Sequence, residues 1–155
     1  MKYLVLVGML LSLTGTIRYV IDMLKGKTKP NRVSWLIWAI SPIIATIAAI
    51  FSGVTWAVVP VFMSGFGPLV IFSVSLFKKE AYWKITKFDI LCGGLSILAL
   101  VLWAITKNPR IAIIFSIASD FLAGIPTLVK SWKFSETETS ITFVMALMSA
   151  VTSFF

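Results

Sequence analysis

Apolar residues fall into six runs separated by short polar stretches, at 3–24, 33–52, 55–77, 88–106, 111–129 and 140–155. The first five have the length, about 20 residues, that crosses a hydrocarbon layer about 30 Å thick. The sixth has 16 residues, which give roughly 24 Å of helix, short for a span. The pattern predicts an all-α fold: a polytopic membrane helix bundle of about six transmembrane helices. Gly26 and Pro30 stop the first helix, one by backbone freedom and the other by its missing N–H. Gly53-Val54 is so short a turn that the second and third helices are antiparallel neighbours. The N-terminal run has the look of a signal peptide, but it is too long for one and lacks a small-residue cleavage site, so it is read as the first span.

Polar and helix-breaking residues interrupt these runs in a pattern. Gly8, Ser12, Gly15, Tyr19 and Asp22 recur at intervals of 3 or 4 and share one helical face. Small residues on one face predict close helix packing, and the lower part of the same face fits a polar path. Ser116, Asp120, Ala123 and Thr127 do the same in the fifth run. Pro42, the stretch Ser64-Gly-Phe-Gly-Pro68, and Pro126 lie inside apolar runs. They are the expected hinges: Pro126 is expected to break the lower fifth helix, and the Ser64–Pro68 stretch to kink or unwind the third.

Composition agrees with the pattern. The 155 residues are 59% hydrophobic and 13% charged, with a mean hydropathy of +0.98. Soluble domains are about 45–50% apolar and about 25% charged. With one cysteine, Cys92, and no histidine, haem and transition-metal sites and any Ser-His-Asp or Cys-His nucleophile have no ligands or base to use. The expectation is a protein that is not an enzyme and needs no cofactor or metal.

Charge changes the picture by orienting it. The net charge is +8, which in a chain of this hydropathy speaks of membrane orientation, with no nucleic-acid partner. One set of alternate loops carries Lys25, Lys27, Lys29, Arg32, Lys78, Lys79, Lys84, Lys87, Lys130 and Lys133, and the other side only Lys2, Lys107 and Arg110. The basic side is expected to be cytoplasmic, which puts the N-terminus outside and the chain in the cell membrane. Trp35, Trp38, Trp56 and Trp103 lie near span ends, where the expectation is a headgroup-level belt, with stacking on a sugar ring as the alternative.

The first two runs resemble the last two. A shift of 106 residues lays Lys27 on Lys133 and Ser34 on Ser140, and sets Val20 against Pro126; a shift of 108 sets Arg18 against Pro126. Both copies run in the same direction, so the repeat is parallel. It divides the chain into a first three-helix unit (1–77), a basic loop with a linker helix (78–108), and a second unit lacking a third helix (109–155). This arrangement, with Ile125-Pro126-Thr127-Leu128-Val129-Lys130-Ser131 before a basic turn, resembles the PQ-loop superfamily of the SWEET and SemiSWEET sugar facilitators. Thr127 stands where that family has glutamine, and the first copy, Thr16-Ile-Arg-Tyr19, lacks the proline. These departures are more similar to an uncharacterised bacterial branch of the superfamily. The resemblance implies a seventh helix; the chain is then either a fragment or one completed by a partner in a homo-oligomer.

The functional expectation is transport of a small polar solute, such as a sugar, by alternating access, facilitative or proton-coupled. Asp120, Ser116, Thr127, Ser64 and Gly67 are expected to line the path, and Pro42, Pro68 and Pro126 to bend. Arg18 and Asp22, four residues apart near the basic end, are the expected inner gate or a structural pair at the interface. Asp120, an aspartate in an apolar span, costs about 2.5–3.5 kcal/mol to insert, and is either a ligand or proton group or a clamp between helices. The alternatives to transport are a receptor or sorting protein of the same fold and an incomplete, inactive fragment. The partners expected are the small-molecule solute and the lipid bilayer.

Overall fold

The computed structural model describes residues 2–51, 53, 55–56, 58–78, 83–106 and 109–152; the side chains of Trp103 and Ser116 fall outside that description, as does all of Lys79, Tyr82 and Lys107. Among the described residues the chain forms six α-helices: α1 (Lys2–Leu24), α2 (Arg32–Phe51), α3 (Val58–Phe77), α4 (Lys87–Thr106), α5 (Pro109–Lys133) and α6 (Ser140–Val151), with one 3₁₀ turn at Ser135–Thr137. α1 to α4 are long and apolar enough to cross a membrane. α5, at 25 residues, is long enough, but Arg110, Asp120, Lys130 and Lys133 interrupt its apolar character. α6 has 12 residues and rises about 18 Å.

Two expectations about helix breaks are corrected. α3 runs unbroken through Ser64-Gly-Phe-Gly-Pro68, so nothing there is unwound. α5 continues past Pro126 to Lys133. A proline removes one N–H and crowds one carbonyl, and the remaining helical hydrogen bonds carry the segment through. Pro42 is likewise helical, within α2.

The distribution of side chains is the inverse of a water-soluble core. Asn31, Ser34, Ser75, Ser96, Ser119, Thr127 and Asp89 are buried, while Leu10, Ile90, Ile105, Ile117 and Phe121 are more than half exposed. An apolar solvent makes this arrangement stable, because inward polar groups find partners and outward apolar ones cost nothing. α3 packs against both α1 and α2, α4 against α2 and α5, α2 against α5, and α6 against α1 and α3. Ser96 and Ser119 clamp α4 to α5 by donating to each other's carbonyls, each at 3.0 Å.

The expected small face of α1 is the surface on which α6 lies. Thr142 donates to the Gly15 carbonyl at 2.8 Å and Ser149 to the Gly8 carbonyl at 2.7 Å. A side chain at Gly15 would stand 3.0 Å from Cβ of Met145, so the helices approach this closely only because no Cβ intervenes.

The three basic loops gather at one end. The Lys29 amide donates to the Thr137 carbonyl at 3.0 Å, and the Trp83 amide to the Pro30 carbonyl at 3.1 Å. Asn31 is the brace between them. Its Oδ1 accepts from the amides of Val33 and Ser34 at 3.1 and 3.4 Å, capping α2. Its Nδ2 donates to Asp89 Oδ1 at 2.8 Å. The other oxygen of Asp89 accepts from the Thr86 hydroxyl at 2.8 Å, and the Asp89 amide donates back to that hydroxyl at 3.2 Å, a capping box for α4. Asn31→Ala removes a cap and a buried hydrogen bond to a carboxylate together, so a loss of about 2–4 kcal/mol is expected. Unfolding of the purified protein in detergent, compared with Asn108→Ala, checks it; equal stability of the two variants contradicts the brace.

Candidate functional site: a central cavity above a buried latch

α1, α2, α3, α5 and α6 line a half-open cavity of about 570 Å³, within the range that holds small molecules. Ser12 and Thr16 of α1, Pro42 of α2, Ser64, Gly67 and Pro68 of α3, Asp120 of α5 and Thr142 and Ser149 of α6 line it. The helices enter in alternate directions, so Trp35, Ile71 and Phe143 mark its basic end, and Pro60 and Ala150 the opposite end.

An aromatic layer floors the basic end. The Trp35 ring is 4.8 Å from Tyr19, 5.3 Å from Trp38 and 6.1 Å from Phe143, centroid to centroid. Trp35 donates its indole N–H to the Tyr19 hydroxyl at 3.3 Å, and Trp38 donates its own to the Asp120 carbonyl at 3.1 Å. These bonds correct the expectation of a headgroup belt: Trp35 is buried and Trp38 half-buried, because the indole N–H groups find partners inside the bundle and need no interfacial water. Trp56, by contrast, is exposed.

Below that floor lies a buried ion pair. Glu138 accepts the Tyr19 hydroxyl at 2.9 Å through one oxygen, and the Lys130 ammonium through the other. Lys130 also donates to the Lys29 carbonyl and sits 5.5 Å from the centre of the Trp83 ring. The side chains are 1% and 5% exposed. Burial pushes the Glu138 carboxyl up from its ordinary range, with Lys130 and the Tyr19 hydroxyl pulling the other way. One cluster thus ties α1, the α1–α2 loop, the end of α5 and the lead into α6.

Of the residues expected on the path, Asp120, Ser64 and Gly67 line the cavity, together with the hinge prolines Pro42 and Pro68. Thr127 lies elsewhere, buried and donating to the Ser34 hydroxyl at 2.8 Å; Pro126 is buried beside it. Ser116 is on α5, four residues before Asp120, but its side chain is outside the described set. Arg18 and Asp22 do pair, at 3.1 Å, with the Arg18 side chain 55% exposed. Asp22 also accepts from Thr139 at 3.2 Å. This is an i, i+4 pair on the rim, away from the cavity lining, and such an open pair contributes about 0.3–0.5 kcal/mol. The sequence reading missed Tyr19, Lys130 and Glu138 as a set. The available signals were a tyrosine on the small face of α1 and an acid in an otherwise basic exit, but their partnership spans 119 residues.

Among the described residues no group of His, Cys, Asp or Glu is placed to hold a metal ion. No protein-family model, curated protein or solved structure matches this chain.

Proposed function

We propose that this chain is a multi-pass membrane protein that carries a small polar solute by alternating access through the central cavity. The observation that supports this most is a solute-sized cavity whose aromatic floor is joined through Tyr19 to a buried ion pair. On this reading the Tyr19–Glu138–Lys130 cluster is the inner gate, with Arg18 and Asp22 on its rim. The gathered basic loops face the cytoplasm, as positive charge does in short loops. The resemblance to PQ-loop proteins favours the same reading. So does the exchange of neighbours, α1 against α6 and α2 against α5, which is what a parallel repeat of helix pairs would produce. Pro42 and Pro68, at the cavity wall, are the bending points of this cycle. A second copy of the chain completing the second unit belongs to the same proposal.

Purified protein in vesicles tests it, with labelled neutral, acidic and basic solutes supplied outside. Saturable uptake of one class, absent from empty vesicles, is the expected result. Repeating it with an inward proton gradient separates coupled from facilitative transport. Ligand binding with no flux in either condition would replace transport by a receptor function.

A further inference from the structure

We infer that the ligand of the cavity is a small alkyl-substituted ammonium ion, held by Asp120 against the Trp35–Trp38–Phe143 wall. The inference rests on the cavity being the solute site and adds the chemistry of that solute. Among the described lining residues, Asp120 is the only one that can carry charge. Its Oδ1 is screened from solvent and has no hydrogen-bond partner among them. A carboxylate so placed calls for a counter-cation or a proton.

The donors around the cavity, the Ser12 hydroxyl apart, point the same way. Thr16 donates to the Ser12 carbonyl, Ser64 to Val61, Thr142 to Gly15 and Ser149 to Gly8. The two indole N–H groups are committed to Tyr19 and Asp120. These groups have spent their protons on the protein, so what they offer a ligand is lone pairs and ring faces. A sugar hydroxyl needs donors as well as acceptors and finds few here. A cation needs acceptors alone, and alkyl groups on its nitrogen suit aromatic walls through cation–π attraction. An inorganic cation would require several oxygens converging on one point, and Asp120 is the one carboxylate in the described lining.

The probe pair is choline and its uncharged carbon isostere, 3,3-dimethyl-1-butanol, titrated calorimetrically into the full chain in lipid nanodiscs, with glucose alongside. Choline is expected to bind at least about tenfold tighter than the isostere, with glucose weakest, because the two shapes differ only in charge at the aromatic wall. Asp120→Asn is expected to remove that preference and leave isostere binding as it was, which also shows that the variant is folded. No choline binding at millimolar concentration, equal binding of the isostere, or an Asp120→Asn variant that keeps the preference would each overturn the assignment; the last would mean that Asp120 carries a proton. Glucose uptake without choline binding would remove the ligand class and keep transport. Choline binding without uptake would keep the ligand and remove transport.

Discussion

Lys130→Met is expected to lower stability by about 3–5 kcal/mol, since it leaves the Glu138 carboxylate buried with its charge unmatched. The side chains of the pair are almost fully enclosed, so water cannot take the place of the ammonium. Lys130 also satisfies the Lys29 carbonyl, and that bond goes with it. The double variant Lys130→Met/Glu138→Gln is expected to recover most of the loss, because the costly species is a lone buried charge and the double variant has none. Unfolding in detergent, followed by circular dichroism, measures both. A double variant as unstable as the sum of the two single ones would contradict the latch as an ion pair.

Trp35→Ala has the next largest expected effect, about 3–5 kcal/mol, the range for emptying a large buried aromatic site. Trp35 is 4% exposed and touches three other rings, so neighbours held by their own bonds cannot close the space. Trp35→Phe keeps a ring in the site but gives up the bond to Tyr19 and part of the packing, and about 1–2 kcal/mol is expected. The alanine variant also opens the floor between cavity and latch. A thiol reagent applied from the basic side is therefore expected to reach a cysteine placed at Thr142 in Trp35→Ala and not in the parent. A Trp35→Ala protein as stable as Trp35→Phe would show that the ring is not part of the floor.

The helices were legible because an apolar solvent demands unbroken apolar runs, and α1, α2, α3 and α4 follow those runs to within about three residues. Pro126 misled the reading by predicting a break, and at Ser64–Pro68 the unwound alternative fails while a kink is compatible with a continuous α3. The rule that a proline ends a helix comes from chains in water, where a broken helix has solvent to satisfy it; in an apolar setting the broken ends have nowhere to turn. Asp120 was found from its own chemistry, since a lone acid in an apolar run is conspicuous wherever it sits. Glu138, Lys130 and Tyr19 were not, as each is unremarkable alone and their partnership crosses most of the chain. Asn31 is equally plain in sequence, since its role depends on Asp89, 58 positions away.

The seating of α6 on Gly8 and Gly15 bears on biogenesis. The bonds that hold it join residues 127 and 141 positions apart. α1 is therefore synthesised long before the helix that covers its glycine face. While α2 to α5 are being made, that face lacks the helix that covers it. The cavity wall and the latch both need residues beyond Lys133, namely Glu138 and the inward face of α6, so neither exists until α6 has been made. An intermediate that stops short of α6 therefore has its long apolar helices before it has either the cavity or the latch.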